Sequence, residues 1–416
     1  MAATDFQALP TLPRAATRTG LVVMKFGGTS VGDPDRLKAV AQRLVDARAA
    51  GRHVVAVLSA MGDTTDELIA LAHQVSPRPK PRALDMLISV GERISGALAE
   101  MAVHDLGHEA ISLTGSQAGI VTDTVHGKAK IADIRPRRID EALDAGKIVL
   151  VAGFQGVSTA LDITTLGRGG SDATAVALAA ALGAETCEIY TDVEGVFTAD
   201  PRIVPEARKL HAVSYEEMLE MAASGAKVLM LRSVEFARNY GVPMHVRSTF
   251  SAEEGTWIRE EDERMLEKAM ISGVTQTTEE TLYRVEGTRP ALLLAALADA
   301  GVNVDTILHT GMEIVFSAPL EDFTDASRAL EGLEVRWSAR DDLGKVSVVG
   351  AGMKSHPGIA ARTFATLERI GVEPQVVNTS PIKIACFVRR DEVEPAVRAL
   401  HAAFGLDRPG AERPQE

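Results

Sequence analysis

Two glycine-rich turns carry residues suited to handling phosphate. The first, Lys25-Phe26-Gly27-Gly28-Thr29-Ser30, follows an apolar, β-branched run. Glycines let backbone N–H groups approach an anion, and a lysine at a strand end supplies a point charge. The plainer reading is a tight strand-to-helix turn with a surface lysine, and this turn alone does not separate the two. The second turn, Leu166-Gly167-Arg168-Gly169-Gly170-Ser171-Asp172, leads into an Ala-rich helical run. Such a sequence at a helix N-terminus lines up N–H donors that the helix dipole reinforces. Arg168 has the planar fork that holds a carboxylate. Asp172 either complements the dipole or orients a lysine or a metal. A third cluster, YTDVEGVFTADPR from Tyr190 to Arg202, is rich in turn formers and by that alone only a loop. Its Phe197 and Arg202, expected to be exposed, suit a purine and its phosphates. Together the three clusters favour phosphoryl transfer, built without a Walker A sequence.

These turns need elements to hold them. Leu21–Phe26, Val54–Leu58, Lys147–Ala152, Thr186–Thr191 and Val242–Val246 read as strands, with helical patterns near residues 33–50 and at Ala173–Leu182. The alternation predicts an α/β fold, a mostly parallel sheet sandwiched by helices, with ligands beyond the carboxyl ends of the strands. A charged stretch at 259–268 (REEDERMLEK) breaks the pattern. Beyond it, two strand–helix–strand passages predict two small βαββαβ modules. The expected division is a flexible tail over 1–19, a catalytic domain over 20–260, a divergent first module over 268–340, a second module over 341–405 and a disordered tail over 406–416.

The 416 residues suit two or three domains, and with 46% hydrophobic but only 4% aromatic residues their cores must be mainly aliphatic. A net charge of -13 without a basic run argues against a nucleic-acid partner or an anionic membrane surface. No stretch approaches the roughly 18 consecutive apolar residues of a membrane span, and the N-terminus lacks the apolar region of a signal peptide. Cys187 and Cys386 fit no metal-ligand spacing and read as buried thiols of a cytoplasmic protein. Gly350-Ala351-Gly352 looks like the start of a dinucleotide fingerprint, but too little chain follows to complete one. His104, His108, His126 and His211 are scattered and read as surface or satisfied histidines.

The three clusters, in this order, resemble the amino acid kinase superfamily and in detail the aspartate kinases. The matching runs are KFGGTSV (25–31), SAMGDTTDEL (59–68), GERIS (91–95), TTLGRGGSDATA (164–175), YTDVEGVFTADPR (190–202), GAKVLMLRSVEFA (225–237) and VSVVGAGMKSHPG (346–358). The resemblance covers about residues 20–405. It implies transfer of the γ-phosphoryl group of ATP to the side-chain carboxylate of L-aspartate. That is the first step toward lysine, threonine and methionine, or of a dedicated secondary pathway. It further implies that Lys25 neutralises charge on the transferring group, that Phe26, Gly27 and Gly28 meet the nucleotide phosphates, and that Asp172 orients the lysine. Ser59, Thr65 and Ser171 would line the aspartate pocket, Glu92 would pair with the substrate ammonium and Arg168 with a substrate carboxylate. Thr191, Asp192, Phe197, Arg202, Lys227 and Val228 would surround the nucleotide. Mg²⁺ would bridge the ATP oxygens, held by phosphate and water with no protein side chain as ligand. The acceptor carboxylate is ionised at neutral pH, so no general base is required. A kinase for glutamate or acetylglutamate would share the phosphate turns but lack GERIS and the C-terminal modules. A catalytically dead scaffold would have no need of Lys25, Arg168 and Asp172 together, and a kinase–dehydrogenase fusion would need a longer chain.

The C-terminal modules resemble the paired ACT modules of aspartate kinases, which bind end-product amino acids between subunits, and imply a homo-oligomer. The second keeps its pattern at 350–358 and at NTSPIKIACFV (378–388), which makes Asn378, Thr379 and Ser380 regulatory candidates. The first departs from it. Where the family has an Asp-Lys-Pro-Gly-like turn this chain has Gly287-Thr288-Arg289-Pro290-Ala291, and its Gln-Asn pair is replaced by His309-Thr310. Losing a carboxylate and a close-approach glycine weakens recognition of an amino acid. Thr288, Pro290, His309 and Thr310 therefore mark an altered effector site, with weakened inhibition by lysine and threonine expected. Met265 and Met270 are candidate starts of a separate regulatory chain.

Overall fold

The computed structural model describes residues 15–260, 271–311, 313–351, 353, 356 and 358–408. Most of both expected tails, most of the charged stretch at 259–268, Met265, Met270 and part of the 350–358 turn lie outside the described residues. Among the described residues no helix is long and apolar enough to cross a membrane. The chain forms two compact units.

The first unit holds residues up to 196 together with 209–219 and the stretch that begins at Lys227. Its eight-stranded sheet runs in the order 212–214, 256–259, 244–248, 184–191, 18–26, 53–58, 148–152, 110–113. Every pairing is parallel except that of Met244–Ser248 with Thr256–Arg259. Strands covered on both faces have no solvent side, which is why Leu21–Met24 and Val54–Leu58 are unbroken apolar runs and are fully buried. Helix Pro34–Ala49 covers one face. Asp33 caps it by accepting the Arg36 N–H at 2.8 Å, and Pro34 presets its first turn. Its Leu37, Val40, Ala41 and Leu44 pack with Met24, Phe26, Val54 and Leu58. Helix Gly170–Leu182 packs against the same central strands and is buried at almost every residue, which only small side chains permit. Left-handed glycines bound it, Gly169 with φ 69° and Gly183 with φ 65°. A small sheet, ordered 131–134, 120–122, 155–158, 163–165, completes the unit.

The second unit holds two antiparallel four-stranded sheets. One is ordered 307–310, 313–319, 280–286, 336–340, and the other 376–380, 383–389, 343–349, 273–277. Two features depart from the division expected from sequence. Gly273–Thr277, placed in the first module by order along the chain, pairs with Leu343–Val349. It fills the position in the second sheet that Arg336–Arg340 fills in the first. A strand pairs with the edge that is open in space, and a turn at 278–279 sends consecutive strands into different sheets. Residues 197–208 and 220–226, expected in the catalytic domain, also belong to this unit. Their apolar residues find a core there: Ala199 and Val204 pack with Val274, Val346 and Leu400. The Val274 N–H donates to the Thr198 carbonyl at 2.8 Å, and Thr198 Oγ1 lies 2.9 Å from His401 Nε2.

Lys345 is fully buried in the second unit, its ammonium paired with Glu280 and, at 2.7 Å, with Asp305. The mutant Lys345→Ala leaves two carboxylates without a counter-charge, which is expected to destabilise this unit by about 3–5 kcal/mol. The two tryptophans, Trp257 and Trp337, fall one in each unit. Urea titration of Trp337 fluorescence in a Trp257→Phe background therefore reports the loss, and an unshifted midpoint would show the triad to be unimportant.

Candidate active site

The first unit brings the two glycine-rich turns together. Parallel pairing aligns Phe26 with Tyr190, and their rings stack at 4.7 Å, so adjacent strands end side by side. The Gly27 N–H then donates to the Tyr190 carbonyl at 3.4 Å, and Gly28–Val31 forms a short 3-10 turn. Gly28 sits in a crowded place: a Cβ there would lie 3.1 Å from the Ala60 carbonyl oxygen and 3.2 Å from that of Gly62. At Gly27 a Cβ would sit 3.5 Å from Lys25 Nζ, so its absence leaves the ammonium open on that side.

Lys25, on the last turn-facing positions of its strand, points toward helix Gly170–Leu182 and meets Asp172 in its first turn. Nζ and Oδ1 are 2.6 Å apart, with side chains only 12% and 10% exposed. A lysine whose head is held beside a helix N-terminus, under a glycine turn, presents fixed positive charge to one open side. Ser171 is buried one residue earlier, close enough to Gly153 that a Cβ there would lie 2.7 Å from Ser171 Oγ. The Ser59 N–H donates to the Phe26 carbonyl at 3.1 Å, which ties the second strand's end to the first turn. Ser59 and Thr65 are half-buried.

Glu92 is 3% exposed, and one of its carboxylate oxygens accepts only the Ala60 N–H, at 3.3 Å. The other, Oε2, is buried without a hydrogen-bond partner. Burial pushes the carboxyl up to about 7, partly offset by backbone donors and by Arg93. Arg168, in contrast, is exposed, and among the described residues no hydrogen bond or ion pair holds its guanidinium. Glu92 is thus a buried acid without a cation and Arg168 an exposed cation without an acid among the described residues.

The remaining candidates divide between the units. Thr191 and Asp192 follow the central strand, Thr191 Oγ1 donating to Asp192 Oδ1 at 3.0 Å, while Lys227 is exposed and Val228 half-buried just before helix Leu231–Tyr240. Phe197 and Arg202 lie in the second unit. Phe197, expected to be exposed, is half-buried, and Arg202 is paired with Asp200 at 2.7 Å. In the same unit Thr288 precedes helix Pro290–Asp299 and Pro290 begins it, His309 and Thr310 are exposed on an edge strand, and Thr379 is exposed. The Asn378 amide donates to Thr306 Oγ1 at 3.3 Å, and Ser380 Oγ lies 3.5 Å from Glu220, which pairs with Lys383. Sequence reasoning passed over Ser30 and Thr249, whose hydroxyls bond at 2.6 Å and join the first turn to the loop after Met244–Ser248. Ser30 lay within a recognised motif; nothing local marked Thr249. His126, read as surface or satisfied, bonds the buried Asp85 at 2.7 Å. Among the described residues no group of three or more His, Cys, Asp and Glu gathers as a metal site.

The raised Glu92 value sets a sign. The carboxyl is neutral in folded and unfolded chains below its ordinary 4.5, and folding is progressively opposed as pH rises from there to about 7. Urea stability of the wild type should therefore decline between these pH values more than that of Glu92→Gln; parallel profiles would overturn the burial argument.

The amino acid kinase family model matches residues 20–248, and an ACT domain model matches 346–404. The chain is 51% identical over 405 residues to an aspartokinase of Mycolicibacterium smegmatis, covering 93% of this chain and 96% of that one. An aspartokinase of Corynebacterium glutamicum is 50% identical with the same coverage. Among solved structures, E. coli aspartokinase III in complex with aspartate and ADP superposes with a TM-score of 0.82 at 23% identity, over 92% of this chain and 100% of that one, a likeness of fold. Aspartate kinase from Synechocystis is 40% identical with a TM-score of 0.54, over 92% of this chain and 69% of that one. With half the residues shared across nearly the whole length, and a family model spanning the unit that holds Lys25, Asp172, Glu92 and Arg168, the chain belongs to the aspartokinase family of amino acid kinases.

Proposed function

We propose that the protein transfers the γ-phosphoryl group of ATP to the side-chain carboxylate of L-aspartate, yielding ADP and 4-phospho-L-aspartate. The observation that carries this reading is the Lys25–Asp172 pair at 2.6 Å, set between a glycine turn and a helix N-terminus. In-line transfer between two anions needs charge neutralisation and positioning more than a nucleophilic side chain. Lys25 would neutralise the transferring group, Asp172 would hold Lys25 in place, and the amides of Gly27 and Gly28 would face the phosphates. Glu92 Oε2 would take the aspartate ammonium, and Arg168 a substrate carboxylate, between Ser59, Thr65 and Ser171. Thr191, Asp192, Lys227 and Val228 are the nucleotide-facing candidates of the first unit. The roles of Phe197 and Arg202 rest on the motif that contains them. Mg²⁺ belongs to the nucleotide substrate and supplies charge neutralisation on its phosphate oxygens.

The reading extends to regulation and setting. Weakened response to lysine and threonine is supported by Gly287-Thr288-Arg289-Pro290-Ala291, which lacks the acid and the glycine of the usual turn. Such an enzyme would suit a pathway that draws on aspartyl phosphate while those end products are plentiful. A homo-oligomer through the ACT modules and a cytoplasmic setting belong to the same proposal; free, buried thiols at Cys187 and Cys386 support the latter.

Hydroxamate trapping of the acyl phosphate with MgATP and aspartate tests the chemistry. Lys25→Met is expected to lower kcat by about 10²–10³, and Glu92→Gln to raise the aspartate KM by at least about tenfold while sparing that of ATP. Wild-type turnover restricted to another acid would refute the substrate. Turnover that persists with lysine and threonine together supports the altered effector site, and abolition at sub-millimolar concentrations refutes it.

A further inference from the structure

The motif GAKVLMLRSVEFA contains a residue to which no role has yet attached, Arg232. Its guanidinium donates from one nitrogen to the Leu166 carbonyl and from another to the Ala129 carbonyl, each at 3.1 Å. These two carbonyls flank a backbone link, because the Ala129 N–H donates to the Thr165 carbonyl at 2.9 Å. The fork of Arg232 therefore staples the segment that runs directly into Gly167-Arg168-Gly169. On the other side Asp85, 1% exposed, accepts from Thr165 Oγ1 at 2.6 Å and from the Gly127 N–H at 3.1 Å. Met230, two residues before Arg232, closes the turn from above: a Cβ on Gly169 would lie 2.2 Å from its Cγ.

Three glycines within four positions make this turn costly to order, so it needs such external restraint. Arg232 is an expensive restraint by itself. Burial lowers its pKa from the usual value, and among the described residues no ion pair neutralises it, with Asp123 and Glu235 acting only at longer range. Two carbonyl acceptors would be served as well by a neutral donor, at less desolvation cost. A retained charge makes sense beside a turn whose next side chain, Arg168, must face an anion.

We propose that Arg232 is a positioning residue, which holds the turn at Leu166–Gly169 so that Arg168 meets the carboxylate of the acceptor. The inference rests on the proposed aspartate kinase reading for the role of Arg168, and on geometry alone for the staple. Arg232 itself touches no substrate.

The test compares wild type, Arg232→Met and Arg232→Lys in two assays. In hydroxamate formation, Arg232→Met is expected to raise the aspartate KM by about tenfold with the ATP KM and thermal midpoint little changed. Millimolar guanidinium should recover part of the loss, and Arg232→Lys, able to reach one carbonyl at a time, should be intermediate. In limited proteolysis, trypsin should cut after the exposed Arg168 several times faster in both variants than in wild type. Equal rises in both KM values, a lowered midpoint with unmoved KM values, or unchanged cleavage at Arg168 would each overturn the inference. A wild-type enzyme without aspartate turnover would instead remove the substrate reading, and the cleavage assay would still decide the staple.

Discussion

A lysine and an aspartate held 2.6 Å apart, both nearly buried, set the terms for the rest of the first unit. Removing two charges from water is unfavourable unless they meet each other and keep a defined environment. Lys25 ends a strand and Asp172 begins a helix, so the sheet and the helix layer must approach each other at this edge. A parallel sheet achieves that without special devices, since every strand ends and every following helix starts on the same side. Gly27 leaves Lys25 uncovered on one side, and Gly169 starts the helix from a left-handed conformation that brings Asp172 into reach. The Ala-rich composition of Gly170–Leu182 follows from the same demand, because a helix packed that closely on the strands has no room for larger side chains.

Glu92 and Arg168, the proposed acceptor partners, use charge in the opposite way. Glu92 is withdrawn from water until its carboxyl titrates near neutrality, which makes it receptive to a cation that brings its own hydrogen bonds. Arg168 remains solvated on a glycine-rich turn, where a guanidinium loses little before it finds a carboxylate. An amino acid carries both charges at fixed separation, so in the proposed function one buried and one exposed partner would read its orientation. Asp85, bonded to His126 and Thr165, and Arg232, bonded to the Leu166 carbonyl, hold the segment that leads into the turn bearing Arg168.

The second unit shows how loosely sequence order binds strands to sheets. Gly273–Thr277 completes the sheet of the second module, and residues 197–208 add their apolar side chains to the core beneath it. The motif YTDVEGVFTADPR is thus divided at Val196, with Thr191 and Asp192 in one folding unit and Phe197 and Arg202 in the other. The turn at 287–289 leads into the helix that begins at Pro290, and Thr288 Oγ1 within it is buried without a hydrogen-bond partner.

Much of this architecture was legible from local chemistry. Apolar runs such as LVVM (21–24) and IVLVA (148–152), alternating with helical patterns, suit strands covered on both faces, and the parallel sheet was expected from them. Glycine-rich turns at strand ends marked Lys25, Gly27, Gly28, Arg168 and Asp172 as candidates, because their residue types also suit phosphate and carboxylate. Other features depended on distances between residues far apart in the chain. The Lys25–Asp172 contact joins residues 147 positions apart, the Ser30–Thr249 bond 219. No spacing rule links Arg232 to Leu166, and nothing local in Glu92 tells that its environment is dry. Hydrophobic pattern and turn chemistry are written into short segments and can be read there. Ion pairing, desolvation and the choice of a strand's neighbour depend on which surfaces meet once the segments are packed, and only the tertiary structure decided those.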